Sequence, residues 1–150
     1  MPQTPYIPHI DLLLQALRVN RDRLNSKSKI AIDAKLLKTV LQAMVAGAPF
    51  NEAFYKQNYP DLAAAQASGA IPDLHKHFIE NGYFEGRFGS APPVDEAYYT
   101  STYKDVGQAV LKGDVTSGTE HYLRSGASEG RVPNEEIRSE LEAWMVVLRE

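Results

Sequence analysis

His77 and His121 stand 44 residues apart, and each is followed at the same distance by the same tripeptide, Glu85-Gly86-Arg87 and Glu129-Gly130-Arg131. Imidazoles can ligate metal ions or move protons near neutral pH. A metal site needs three or four converging ligands. His75 does not add one, because a residue two positions from His77 on a helix points away from it. The plainer reading sets each histidine between two helices of its own segment, hydrogen-bonded to neighbouring backbone. Glu85 and Glu129 would work as paired acid and base only if they flanked one bond. Each instead shares a turn with an arginine, so an ion pair is expected. Ser117-Gly118-Thr119 lacks the lysine and glycine spacing of a phosphate cradle and reads as a helix cap. No residue is therefore assigned a catalytic or metal-binding role, and no cofactor is expected. An enzyme using His77 or His121 as acid–base stays open as an alternative.

The tyrosines are the stronger binding signal, since their rings stack on sugars and anchor protein interfaces. Tyr55 and Tyr59, like Tyr99 and Tyr103, lie four apart and share one helix face, which suits a core. Tyr83 and Tyr98 are less constrained. With His77 and His121 they form the candidate binding set. The basic stretch Arg18, Arg21, Arg23, Lys27, Lys29 lacks interleaved aromatics, and the chain is acidic with a pI near 5.8, so no nucleic-acid partner is expected.

These residues are positioned by an internal repeat. Residues 50–87 align with residues 94–131 without a gap, and a fixed period of this kind defines the architecture. Glu52/Glu96, Tyr55/Tyr99, Tyr59/Tyr103, Asp61/Asp105, His77/His121 and Gly82/Gly126 are identical pairs. Each copy reads as three short helices. The first follows Asn51 or Asp95, the second starts at Asp61 or Asp105, and the third follows Asp73 or Ser117. Ser117 and Glu120 match the reciprocal cap S-x-x-E. Gly82 and Gly126 are expected to close the third helix in the left-handed conformation. Residues 88–93 link the copies.

Two helices precede the repeats. Ile10, Leu13, Leu14 and Leu17 predict one over about 10–24. A second starts near Asp33 and stops at Gly47. Residues 1–8 are proline-rich and irregular. A last helix over 134–149 carries Ile137, Leu141, Trp144, Met145 and Leu148 as its apolar stripe, which should face inward and cap the fold. Sustained alternation is absent, so strands are not expected. The fold class is all-α, as a single domain over 1–150: N-terminal helices in 1–49, repeats at 50–87 and 94–131, and a C-terminal helix in 132–150.

Composition agrees with that class: 43% hydrophobic and 23% charged residues suit a soluble domain. The absence of cysteine excludes disulfides and thiolate metal sites. No apolar run approaches the roughly 18 residues of a membrane span. The first residues lack a secretory pattern, so the expected location is cytoplasmic, with non-classical export also open. Residues 1–50 hold seven Lys/Arg against three acids, a net +4. The chain's net −3 leaves −7 on the other hundred residues. A basic head and an acidic body can attract each other within a monomer or in a homodimer.

Phe50-Asn51-Glu52-Ala53-Phe54-Tyr55, Tyr59-Pro60-Asp61-Leu62 and His77-Phe78 through Gly82 to Glu85-Gly86-Arg87 resemble a short helical repeat of bacterial proteins. Val94-Asp95-Glu96-Ala97-Tyr98-Tyr99, Tyr103-Lys104-Asp105-Val106 and His121-Tyr122 through Gly126 to Arg131 resemble it again. The likeness covers over half the chain, and copy two departs from it at Lys104 and Gly107. Such repeats occur beside glycosyltransferase domains, in polysaccharide-synthesis settings and in secreted calcium-binding repeat proteins, although this chain lacks the glycine-aspartate nonapeptides of the last. The resemblance implies a non-catalytic interaction, scaffold or regulatory module with a protein partner, such as a glycosyltransferase. A carbohydrate-binding module using surface tyrosines is the alternative.

One further pairing follows from the register. Asp61 with Arg87 and Asp105 with Arg131 recur at one separation, the aspartate at a helix start and the arginine after a glycine turn. A two-pronged clamp is expected at both, partly buried, with Glu85 and Glu129 as rival partners.

Overall fold

The structure, a computed structural model, describes residues 6–149. It is all-α: among these residues every regular element is a helix and none is a strand. The chain divides between Ser90 and Ala91, inside the linking segment 88–93, into two compact units. Residues 6–9 have no regular structure, and the rest of the irregular start expected for 1–8 lies outside the described residues.

In the first unit the single helix expected over 10–24 is two, α1 (Ile10–Leu17) and α2 (Arg21–Leu24). Arg18 breaks it by adopting a left-handed backbone, φ 55°, the conformation that ends a helix. Val19 N–H then donates to the Leu14 carbonyl at 3.1 Å. Asn20 starts the next turn, its side chain accepting from Arg23 N–H at 3.2 Å. Helix α3 (Ala34–Ala46) begins as expected at Asp33, whose carboxylate accepts from the N–H groups of Lys35 and Leu36.

The first repeat comprises α4 (Glu52–Asn58), α5 (Pro60–Ala67) and α6 (Leu74–His77), the last running into a π-helical turn at Phe78–Gly82. Asn51 and Asp73 cap α4 and α6, accepting from Phe54 N–H and Lys76 N–H at 2.9 Å each. Pro60 opens α5, where its fixed φ suits a helix and its missing N–H is not needed. Val45, Tyr55, Leu62, Leu74 and Phe78 form the buried core, with Phe50, Tyr59, Ile71 and Ile79 packed around it. Each large apolar side chain buried this way contributes about 1.5–3 kcal/mol.

The second unit repeats this order with α7 (Glu96–Thr102), α8 (Lys104–Lys112) and α9 (Gly118–His121), which continues into a π-helical turn at Tyr122–Gly126. Tyr99 and Val106 are buried here, as Tyr55 and Leu62 are in the first unit. Ser117 Oγ accepts from Glu120 N–H at 3.0 Å. The reciprocal half of the cap is shifted by one residue: Glu120 accepts from Thr116 N–H (2.6 Å) and Thr116 Oγ (2.7 Å). Those bonds hold the Glu120 carboxyl below its ordinary pKa.

Each repeat closes on itself. Asn51 N–H donates to the Gly89 carbonyl at 2.8 Å, and Asp95 N–H to the Pro133 carbonyl at 3.1 Å. The chain leaving a repeat therefore returns to the start of that same repeat's first helix.

Two expectations about glycine and the last helix are corrected. Gly82 and Gly126 do not take left-handed backbones; the closing turns place those at Gly86 (φ 78°) and Gly130 (φ 73°). Helix α10 (Arg138–Arg149) starts four residues later than expected: residues 135–137 form a turn, with Arg138 N–H donating to the Glu135 carbonyl at 3.3 Å, and Asn134 Oδ1 caps that turn by accepting from Ile137 N–H. Its apolar stripe is also wider than the face in use. Leu141 and Met145 are half-buried, with Met145 packed over Gly130. Trp144 and Leu148 lie on the adjacent row and are exposed, Trp144 by 53%.

Candidate functional site

The two histidines have equivalent surroundings. In the first unit α4 places Tyr55 under α6, and the Tyr55 hydroxyl lies 3.1 Å from His77 Nδ1. In the second, α7 places Tyr99 under α9, with its hydroxyl 3.1 Å from His121 Nδ1. Both tyrosines are fully buried. Burial pushes each phenol up to about 12, so each remains protonated at neutral pH and can donate to the imidazole. The expected partner was backbone; the partner found is a buried hydroxyl on another helix.

This pairing explains the repeated glycine. A Cβ at Gly82 would collide with the Tyr55 hydroxyl, and one at Gly126 with the Tyr99 hydroxyl. Only glycine lets the ring reach past the π-helical turn to its histidine. The turns themselves are defined by the bonds from Tyr83 N–H to the Phe78 carbonyl (2.9 Å) and from Ala127 N–H to the Tyr122 carbonyl (3.0 Å).

The second shared constellation is the arginine clamp. Arg87 donates from both terminal nitrogens to the two Asp61 oxygens, at 3.1 and 2.9 Å, and from Nε to Glu85 at 2.7 Å. Arg131 does the same to Asp105, at 2.9 and 2.8 Å, and to Glu129 at 2.6 Å. The glutamate is thus a second partner of the guanidinium alongside the aspartate. Each guanidinium also lies 4.9 Å above a tyrosine ring, Tyr59 or Tyr103. Those tyrosines accept in turn from Phe88 N–H (2.8 Å) and Val132 N–H (2.7 Å). The arginine side chains are 23% and 20% exposed, the aspartates 60% and 63%. Hydrogen bonds from Arg131 hold Asp105 at about 2, and Arg87 lowers Asp61 likewise.

The remaining candidates diverge. Tyr98 is engaged: Arg138 Nη2 donates to its hydroxyl at 2.7 Å, and the guanidinium lies 5.7 Å from its ring centre. Tyr83 is exposed and meets Phe84 edge to face at 5.4 Å, while Lys38 Nζ sits 5.1 Å from the Phe84 ring centre. The second repeat has Ala127 and Ser128 at these positions and still builds the same turn.

Four participants were not found in the sequence. Glu96 reaches the start of α9, accepting from the N–H groups of Gly118 and Thr119 and from Thr119 Oγ. Its identity with Glu52 concealed this role, because Glu52 accepts from Gln66 instead. Phe84 and Lys38 lacked a repeat partner to draw attention to them. Ser125, the fourth, lies with its Oγ 3.4 Å from His121 Nε2, at the far edge of hydrogen-bond range. Ser125 Oγ also lies 3.4 Å from the His121 carbonyl, to which it donates. Among the described residues no group of three or more His, Asp and Glu is placed to hold a metal ion, and no helix is long and apolar enough to cross a membrane. Comparison of the chain with protein-family models, with curated proteins and with solved structures finds no match.

Proposed function

We propose that this chain is a non-catalytic interaction module, a scaffold or regulator serving bacterial polysaccharide synthesis or glycosyl transfer in the cytoplasm. The observation that carries the non-catalytic part is how the shared side chains are used. Tyr55, His77, Tyr59, Arg87 and Asp61 all bond one another or neighbouring backbone within their own unit, and so do their counterparts. Exposed apolar side chains remain on the flanking helices, Val40 and Met44 of α3 and Val147 and Leu148 of α10, as well as at Leu111 of α8 and at Tyr83 and Phe84. The resemblance of the repeat to modules beside glycosyltransferases supports the setting. Affinity capture from the native host, with the partners identified by mass spectrometry, tests it. Enrichment of a glycosyltransferase supports the reading. Turnover of a substrate by the purified chain, lost on His121→Ala, would replace it with the acid–base alternative.

The carbohydrate-binding reading narrows to one place. Arg138 occupies Tyr98, so Tyr83 with Phe84 is the aromatic pair that remains open to a sugar ring. The second repeat shows that the turn needs neither ring. Glycan-array binding that disappears in Tyr83→Ala would favour this reading over the first.

A further inference from the structure

The two ends of the chain carry complementary surfaces. At the head, Leu24 is exposed next to exposed Arg23, with exposed Lys27 and Lys29 following in the chain, and Leu12 is exposed on α1. The head's acids offset them little. Asp11 is spent on Arg21 at 2.6 Å, Asp33 caps α3, and Asp22 alone is left. At the tail, Glu135 is spent on Arg138, while Glu136, Glu140 and Glu142 are exposed against one exposed cation, Arg149. Glu140 also rims a shallow depression of about 290 Å³ lined by Ala143, Trp144 and Val147. An apolar seat with a carboxylate at its edge fits an apolar side chain carried next to a cation, and the head supplies that combination.

The geometry points to self-association in which the basic, apolar head of one copy docks on the acidic, apolar face of α10 in a second copy. Charge complementarity selects this occupant, since like surfaces would oppose three exposed carboxylates, or three exposed cations, to their own kind. Each copy carries both halves, so a two-fold exchange satisfies both tails and makes the contact twice. Doubling matters, because a stable interface buries about 1,200–2,000 Å² in total, more than one short helix face provides. The inference is independent of the polysaccharide setting: a partner could be captured from the host whether or not the copies pair.

Sedimentation velocity of the full chain, from micromolar to submillimolar concentration at low salt, tests this together with the fluorescence of Trp144, the only tryptophan. The expected result is a concentration-dependent dimer whose formation moves the tryptophan emission to the blue, and which added salt weakens. A tail variant (Glu136→Lys, Glu140→Lys, Glu142→Lys) and a head variant (Arg23→Glu, Lys27→Glu, Lys29→Glu) should each associate at least tenfold more weakly. An equimolar mixture of the two should recover the dimer, because each then offers what the other lacks. Trp144→Gln, at an exposed site, should weaken association without changing far-ultraviolet circular dichroism. The inference is overturned if the wild type stays monomeric throughout. A monomer whose emission is already blue-shifted would assign the α10 face to the chain's own head. A dimer indifferent to charge reversal, or a mixture that fails to pair, would overturn it equally.

Discussion

Arg87 closes onto Asp61 across 26 residues, with a terminal nitrogen on each carboxylate oxygen at 3.1 and 2.9 Å. The carboxylate stands in the first turn of α5 and the guanidinium follows the Gly86 turn, so this contact ties the end of the repeat to its middle. Truncating a partner of a buried ion pair costs about 3–5 kcal/mol, and of an exposed one under about 1 kcal/mol. Arg87 is mostly covered and Asp61 mostly exposed, so Arg87→Ala should cost about 2 kcal/mol. A double-mutant cycle with Asp61→Ala, read by chemical denaturation, should show coupling; strict additivity would mean that the contact contributes nothing. Arg87→Lys should recover little, because an ammonium cannot supply the fork.

Gly82→Ala should destabilise by about 1–3 kcal/mol, the range for forcing extra atoms into a packed interior. The collision is with one atom, the Tyr55 hydroxyl oxygen. Tyr55→Phe removes it, so the double variant should be more stable than Gly82→Ala alone. A double variant no better than the sum of the two would place the cost in the backbone. The same test applies to Gly126 with Tyr99.

Much of this was legible in the sequence. The gapless repeat gave the register, the polar caps Asn51, Asp73 and Asp95 gave the helix starts, and recurrence alone paired aspartate with arginine. What escaped was tertiary or non-local. A close approach such as Gly82 to Tyr55 has the same sequence signature as a left-handed cap, and no residue pattern announces a π-helical turn. Arg18 broke α1 in a conformation more usual for glycine. Arg138 meets Tyr98 from 40 residues away, with no counterpart in the first repeat to reveal it. The stripe on α10 was read correctly as apolar, but periodicity does not tell how much of an apolar face finds a neighbour.

Stability should fall at both extremes of pH. Asp105 is held at about 2 and Asp61 is also lowered, against an ordinary value near 3.8. A carboxylate whose folded pKa is depressed stabilises the fold above its unfolded value. That contribution is lost as pH falls from about 4 through about 2. Thermal unfolding followed across this window should show the loss, and Asp105→Asn should flatten its slope. A slope unchanged in that variant would assign the acid loss to other groups.

Tyr55 and Tyr99 are raised to about 12, so the neutral phenol is the form the fold holds. This contribution is complete below pH 10 and is lost as pH rises through 12. Near-ultraviolet titration of the eight tyrosines should show a late fraction that coincides with alkaline unfolding. Tyrosines that all ionise together near their ordinary value would contradict the burial of these two.

The central claim is that the repeated histidines are architectural, each satisfying a buried tyrosine. The most direct measurement is the unfolding free energy, by chemical denaturation, of His77→Ala and His121→Ala. Each leaves a buried hydroxyl without its partner, which costs about 1–3 kcal/mol. The account predicts a loss in that range in both variants, of similar size, because the two environments match. Unchanged or increased stability in either variant would mean that the histidine is kept for a purpose other than the fold, and would contradict the account.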